Sequence, residues 1–108
     1  MASGDETLKF LGIHALSNSA NETTVTAGHT YTVISVTFCE MGDADELISM
    51  YVDDASNDIY ILNAQSLPAK STFVWSDKLV LEAADKLGFI TASAANVDVA
   101  ISYLDQEL

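Results

Sequence analysis

Hydrophobic and polar residues alternate with a period of two along most of this chain. Within residues 30–41, Ile34, Val36 and Phe38 alternate with smaller or polar residues, and β-branched residues are frequent. Successive side chains of a β-strand point to opposite faces of its sheet. The pattern therefore predicts a half-buried strand with these three residues on one face.

The same alternation recurs in seven further segments, which are separated by clusters of turn-forming residues such as Gly, Pro, Asn and Asp. These predicted strands cover residues 7–16, 22–26, 46–53, 58–64, 71–82, 86–92 and 97–104. Their alternating apolar positions are Leu8, Phe10, Leu47, Tyr51, Ile59, Ile61, Phe73, Trp75, Leu79, Leu81, Leu87, Phe89, Val97, Val99, Ile101 and Tyr103. About eight short strands at this spacing predict an all-β fold, an antiparallel β-sandwich or jelly roll.

Residues 78–87 are the segment in which a helix competes with this interpretation, because they contain several good helix formers. Leu79 and Leu81, however, continue the alternation that begins at Phe73. Ala84 and Asp85 then supply a turn. We therefore predict a strand, a turn and a second strand here.

Length and composition predict one folded domain. A chain of 108 residues is within the usual size of a single domain, and 49% of its residues are hydrophobic, too many for a disordered protein. Residues 1–6 are mostly small or acidic and lack an apolar anchor, so we expect a flexible N-terminal arm. The predicted domain is residues 7–108.

The charge of the chain argues against several classes of partner. Sixteen Asp and Glu oppose four Lys, giving a net charge of −12. This charge repels phosphate backbones and anionic membranes, so we expect neither nucleic acid nor membrane as a partner. The N-terminus lacks the blocks of a signal peptide, and no apolar run approaches the roughly 18 residues of a membrane helix. Cys39 is the single cysteine, which excludes an intrachain disulfide and fits synthesis in a reducing cytoplasm.

The residues that could support catalysis are few. His14 lies in a predicted strand, where we expect it to be partly buried, and His29 lies in a predicted turn. No motif groups either histidine with a serine and an acid. Cys39 is followed by Glu40 and lacks the basic neighbour of a reactive thiol, so we expect it to pack passively. The sequence predicts no enzyme and no cofactor.

One acidic turn has part of a calcium-binding pattern. Asp54, Ser56 and Asp58 stand at alternate positions, as in the first half of an EF-hand loop. The match then fails, because Ile59 replaces the required glycine and Gln65 replaces the bidentate glutamate. We expect a solvated turn, with Asp54 and Asp58 as weak candidates for a Ca²⁺ ion that bridges subunits.

Aromatic residues leave a sugar-binding alternative open. Trp75 and the tyrosines could stack on sugar rings if they shared an exposed face; the tyrosines are Tyr31, Tyr51, Tyr60 and Tyr103. Trp75, however, continues the alternation of Phe73 and Leu79, so we predict that it belongs to the core.

The C-terminal half resembles small virion proteins of tailed phages, especially those of marine and cyanobacterial hosts. The residues that carry the resemblance are Leu-Pro-Ala-Lys-Ser at 67–71, the segment 79–87, Thr-Ala-Ser-Ala-Ala-Asn-Val-Asp-Val at 91–99 and Ile-Ser-Tyr-Leu at 101–104. The chain departs from the pattern at Ala84, where such proteins mostly have glycine, and at Lys70, where they often have it.

The resemblance implies a non-enzymatic structural role in the virion, assembled in the host cytoplasm. We expect a head decoration or cement protein that binds the major capsid protein or other virion subunits, itself a homo-oligomer such as a trimer or ring. A neck, tail or fibre subunit and a carbohydrate or host-surface binding module are the alternatives. The sequence does not identify the interaction residues, but the freest strand edges are expected at residues 1–10 and in the C-terminal strand through Leu108.

Overall fold

The computed structural model describes residues 5–93 and 96–108, and in these it contains nine β-strands and no helix. The strands are β1 (Asp5–Leu16), β2 (Asn21–Thr24), β3 (His29–Glu40), β4 (Glu46–Asp53), β5 (Asp58–Leu67), β6 (Thr72–Trp75), β7 (Leu79–Leu81), β8 (Lys86–Thr91) and β9 (Val97–Glu107). The described part of the chain thus holds no helix able to cross a membrane. The predicted all-β fold is confirmed.

The strands form two antiparallel sheets. The five-stranded sheet has the order β1-β9-β3-β6, with β7 also paired to β3, and the four-stranded sheet has the order β2-β8-β4-β5. Because β6 and β7 follow one another along the same edge of β3, they behave as one interrupted strand. The two sheets then have the strand order of an eight-stranded jelly roll.

The interruption divides the predicted strand 71–82 in two. Val36 pairs with Trp75, and Val33 pairs with Leu79. These two pairs are three residues apart along β3 but four residues apart along its partner, so the partner has one extra residue here. A bulge in β3, between Val33 and Ser35, lies opposite the break. A bulge bends a strand and disturbs its ladder, which accounts for the loss of regular pairing here.

The apolar core lies between the sheets, and the C-terminal strands supply it as the alternation predicts. The predicted positions that are buried in these strands are Leu81, Leu87, Phe89, Val97, Val99 and Ile101. Four more are partly buried and pack against the core: Phe73, Trp75, Leu79 and Tyr103. The core role predicted for Trp75 is therefore confirmed, although its side chain keeps some exposure.

The predicted face of β1 is wrong. Leu8 and Phe10 are 74% and 69% exposed, and they point away from the other sheet. The residues of β1 that reach the core are Leu11, Ile13 and Leu16. Both faces of β1 carry apolar residues, so the alternation does not reveal which face is buried.

Three other predicted core residues are exposed, one at a bulge, one on the outer face of its strand and one at a sheet edge. Ile34 is 43% exposed because the β3 bulge places Val33 in the core instead. Leu47 is 43% exposed, and its neighbour Ile48 is fully buried. Ile59 is 50% exposed because β5 is the outer strand of its sheet. A slip of one residue turns a side chain to the opposite face.

The chain termini differ from the prediction in two respects. Asp5 and Glu6, which were assigned to a flexible arm, pair with β9 as the start of β1, while residues 1–4 lie outside the described part of the chain. The C-terminal strand β9 lies between β1 and β3, so both of its edges are paired and it is not a free edge. Among the described residues, β1 pairs only with β9 and keeps its outer edge open.

Among the described residues, five non-glycine residues have left-handed backbone, and two of them, Lys70 and Ala84, lie in turns next to β6 and β7. Ala84 has a φ of 74° in the turn between β7 and β8, where the Asp85 amide donates to the Glu82 carbonyl at 3.1 Å. Lys70 has a φ of 57° in the turn before β6. These are the two positions at which the resembling phage proteins mostly or often have glycine, the residue that adopts this conformation without steric cost.

Replacement of Ala84 by glycine is expected to raise the free energy of unfolding by about 1 kcal/mol, because it removes the left-handed strain of a residue with a Cβ atom. Ala100→Gly in β9 is the matched control, and it should lower stability by about 0.5–1 kcal/mol. Urea unfolding of both variants measures the difference. If Ala84→Gly were as destabilising as the control, the turn would not be strained.

Candidate interaction surface

The two histidines both face carboxylates. His14 lies in β1 with a side chain that is 87% exposed, so the prediction that it is partly buried is wrong. Its Nδ1 atom lies 2.9 Å from Oδ1 of Asp98. His29, which was predicted to lie in a turn, is the first residue of β3, and its Nδ1 atom lies 2.7 Å from Oδ1 of Asp105.

Asp105 joins three strands of the five-stranded sheet. Its side chain is only 6% exposed, and it receives a hydrogen bond from Lys9 of β1 at 2.9 Å in addition to its contact with His29 of β3. Burial opposes ionisation of this carboxyl, but hydrogen bonds and attraction from His29 and Lys9 outweigh it and hold the pKa of Asp105 below its ordinary value. The hydrogen bond to Asp105 in turn raises the pKa of Lys9.

The Asp105 cluster does not form a nucleophilic triad. The second ring nitrogen of His29 lies 3.8 Å from Oε2 of Glu107, which is a carboxylate and not a hydroxyl or thiol. Cys39 lies on the opposite side of the sheet, where its thiol contacts the Met41 sulfur at 3.7 Å. The arrangement stabilises the sheet, and sequence reasoning did not find it because Lys9, His29 and Asp105 are far apart along the chain.

The acidic turn between β4 and β5 uses its carboxylates on its own backbone. Oδ1 of Asp54 accepts hydrogen bonds from the amides of Asn57 at 2.8 Å and Ser56 at 3.0 Å, and these bonds lower the pKa of Asp54. Asp58 is the first residue of β5. Across residues 5–93 and 96–108, no three His, Cys, Asp or Glu side chains are grouped closely enough to hold a metal ion.

The aromatic residues do not combine into an exposed platform. Tyr51 is 4% exposed, and its hydroxyl donates to Oε2 of Glu22 at 2.6 Å. Its ring lies across Gly88, where a Cβ atom would come within 2.2 Å of the Tyr51 ring. Tyr60 packs on Tyr51 with ring centroids 5.4 Å apart, and Trp75 packs against the core. Tyr60 is 49% exposed, but its stacking partner Tyr51 is buried, so these two rings present a single exposed ring and not a platform.

The central part of the outer face of the five-stranded sheet is mostly apolar and carries no charged residue; we call this part the neutral face. Directly paired residues of antiparallel strands point to the same side of a sheet, so the register defines this face. Leu8, Leu104, Thr32 and Val80 form one row across the four strands. The full face comprises Leu8, Phe10, Gly12, Thr32, Ile34, Ser35, Thr37, Val74, Val80, Ala100, Ser102 and Leu104.

The neutral face contrasts with the rest of a strongly acidic chain. None of the 16 acidic and 4 basic residues belongs to it. Glu6 and Asp98 continue the same side of the sheet at its two ends, and further acids lie in the connections 40–46 and 53–58 at opposite ends of β4. Most of the acidic residues thus lie towards the ends of the sandwich, while Asp77 and Lys78 lie between β6 and β7 at one edge of the neutral face. Sequence reasoning missed this surface because Leu8 and Phe10 had been assigned to the core.

No protein-family model and no curated protein matches the chain. Its fold is similar to several solved structures. The Drosophila NLP core, described for pentamer formation and histone binding, matches with a TM-score of 0.56 and 13% identity over 88% of this chain and 96% of that chain. A Bacillus endospore appendage, from a family of disulfide-linked pili, matches with a TM-score of 0.57 and 8% identity over 98% and 89%.

A third match is a chain of the capsid of Helicobacter pylori bacteriophage KHP30, with a TM-score of 0.54 and 12% identity over 97% of this chain and 90% of that chain. Further chains with the same fold belong to a prawn virus particle and to a xylanase. At these identities the likeness establishes the jelly-roll fold, and function has to be argued from surfaces.

Substitution Asp105→Asn is expected to lower the free energy of unfolding by about 1–3 kcal/mol at pH 7, because it removes the charge that binds Lys9 and His29. The depressed pKa means that this stabilisation is complete above the ordinary value of 3.8 and is lost as the pH falls through the lower pKa of the folded state. Urea unfolding between pH 7 and about pH 3 should therefore show the two proteins converging in stability.

Asp98→Asn is the matched control, since Asp98 also contacts a histidine but is 39% exposed. Its effect should be clearly smaller. A pH-independent difference between Asp105→Asn and the native protein would contradict the role of the ionised carboxylate.

Proposed function

We propose that this chain is a structural protein of a virus particle, and specifically a head decoration or cement protein of a tailed phage. The observation that carries the proposal is the neutral face. A chain with net charge −12 exposes Leu8, Phe10, Val74 and Val80 together on one sheet face whose central part has no charged residue. Exposed apolar patches of this kind mark surfaces that bind other proteins.

The capsid match of KHP30 supports the proposal through its size as well as its fold. The alignment covers nearly the whole of both chains, so that capsid contains a jelly-roll chain of about the length of this one. The likeness of residues 67–104 to small phage virion proteins points to the same class of protein.

The geometry of the candidate catalytic residues favours a structural role over an enzymatic one. His14 and His29 each face a carboxylate, and Cys39 faces a thioether. An acyl-transfer or hydrolytic site needs a nucleophile within hydrogen-bonding distance of its base. None of these three side chains provides that pairing.

A decoration protein stabilises a shell by mass action. A subunit that binds the assembled shell and not its separated subunits adds its binding free energy to the stability of the shell. The high negative charge keeps free copies soluble until they meet that surface. A neck, tail or fibre subunit would use the same type of surface, and copy number separates these positions.

The copy number of this protein in purified particles tests the proposal, and quantitative mass spectrometry against the major capsid protein measures it. A ratio near one, or near one-third for a monomer at three-fold positions, is expected for head decoration. A few to a few dozen copies per particle would assign the protein to the neck or tail. Absence from particles would overturn the structural role.

A further inference from the structure

We propose that the neutral face docks on the shell subunit, and that the docking site on that subunit is a flat apolar surface rimmed by lysine and arginine. This inference rests on the proposed virion function and specifies its partner surface. It is carried by the register of the five-stranded sheet, the exposure of the apolar side chains on its outer side and the distribution of charge around them.

The exposed apolar side chains span the whole width of the sheet. Leu8 at one edge is 74% exposed, and Val80 and Val74 at the other edge are 61% and 55% exposed. With about 4.8 Å between strands and about 3.3 Å per residue, the face measures roughly 300–400 Å² in plan. This area lies within the range of the largest apolar patch on a typical monomer, about 300–600 Å², and such patches often bind partners.

A groove crosses the neutral face. Its floor is the row of small residues Gly12, Ala100 and Thr37, and Phe10 forms one wall. At one end the groove reaches His14, Cys39 and Asp98. The groove has a volume of about 330 Å³ and is mostly apolar. It is open enough to receive one apolar side chain of the partner, which gives the otherwise flat surface a fixed point of attachment.

The distribution of charge around the neutral face indicates which partner it binds. Both ends of the sandwich are acidic, so a second copy packed face to face would bring acidic ends together in either orientation. Two chains that each carry a net charge of −12 would then repel one another. A partner with lysine and arginine around an apolar centre instead gains attraction at both ends. The uncharged centre avoids burying unpaired charges in the interface.

The test compares incorporation of tagged variants that are expressed in the host during infection and compete with the untagged protein. Val74→Glu and Val80→Glu each place a charge on the neutral face, and we expect each to reduce the tagged copies per particle at least about tenfold. Leu47→Glu is the matched control, because Leu47 is 43% exposed on the outer side of the other sheet. It should be incorporated like the tagged native protein.

Ala100→Leu provides a second variant that adds no charge. The leucine side chain fills the groove and keeps the face apolar. This variant should therefore also reduce the number of tagged copies per particle. Thermal unfolding of each purified variant confirms that the loss does not come from misfolding. Release of the native protein from particles should increase as NaCl is raised from about 50 mM to about 500 mM, because salt screens the attraction to the basic rim.

The outcomes separate this inference from the proposed function. If the native protein is absent from particles, the proposed function itself fails. If it is present, and the neutral-face variants are incorporated as well as Leu47→Glu, only the docking surface is wrong. Retention that is independent of salt contradicts the basic rim. Sedimentation of the purified protein as an oligomer that Val74→Glu dissociates would make a second copy the occupant, which also overturns the inference.

Discussion

Phe38 of β3 and Phe89 of β8 meet at the centre of the sandwich, with ring centroids 5.9 Å apart and no exposure to solvent. This contact joins the two sheets, and the apolar core extends outward from it. Burial of apolar area is the main favourable term in folding, so the need to cover one face of each sheet determines which side of every strand is turned inward. The location of the neutral face is a consequence, since it is the side of the five-stranded sheet that the core leaves uncovered.

The strand β9 shows how the need to bury one face acts within the five-stranded sheet. It lies between β1 and β3, and its inward residues Val97, Val99 and Ile101 are buried in the core. Towards the C-terminus on the same side, beyond the buried apolar residues, Asp105 binds Lys9 and His29. The inward side of β9 therefore changes from apolar to ionic contacts along its length. The Asp105 contacts are turned towards the other sheet, and the outer side of β9 carries only one charged residue, Asp98, near its start.

The irregular positions show how a regular pattern is adapted to a closed sandwich. The bulge at Ile34 lies opposite the gap between β6 and β7. Both irregularities occur at the same level of β3, and the strand pairing is regular on either side of them. The left-handed residues Lys70 and Ala84 turn the chain immediately before β6 and immediately after β7. Together these features let the chain return along the edge of β3 and cross to the second sheet.

The surface that supports the proposed function combines two properties that are unrelated in sequence. The acidic residues lie in the turns and mostly near the ends of strands, whereas the exposed apolar residues of the neutral face come from four different strands. Only the pairing of these strands brings Leu8, Val74 and Val80 onto one face. The resulting contrast between charged ends and an uncharged face favours a protein that assembles by its sheet over one that binds a small ligand in a pocket.

The sequence by itself determined the strands, the antiparallel all-β class and the apolar positions of the C-terminal half, because alternation with a period of two is a local property of a chain with one buried face. It could not determine the face of β1, since Leu8 and Phe10 on one side are as apolar as Leu11 and Ile13 on the other. It also could not locate the Asp105 cluster, whose members come from three strands. Those features depend on which strands become neighbours and how far their registers slip, and both are decided by packing between residues that are distant in the chain.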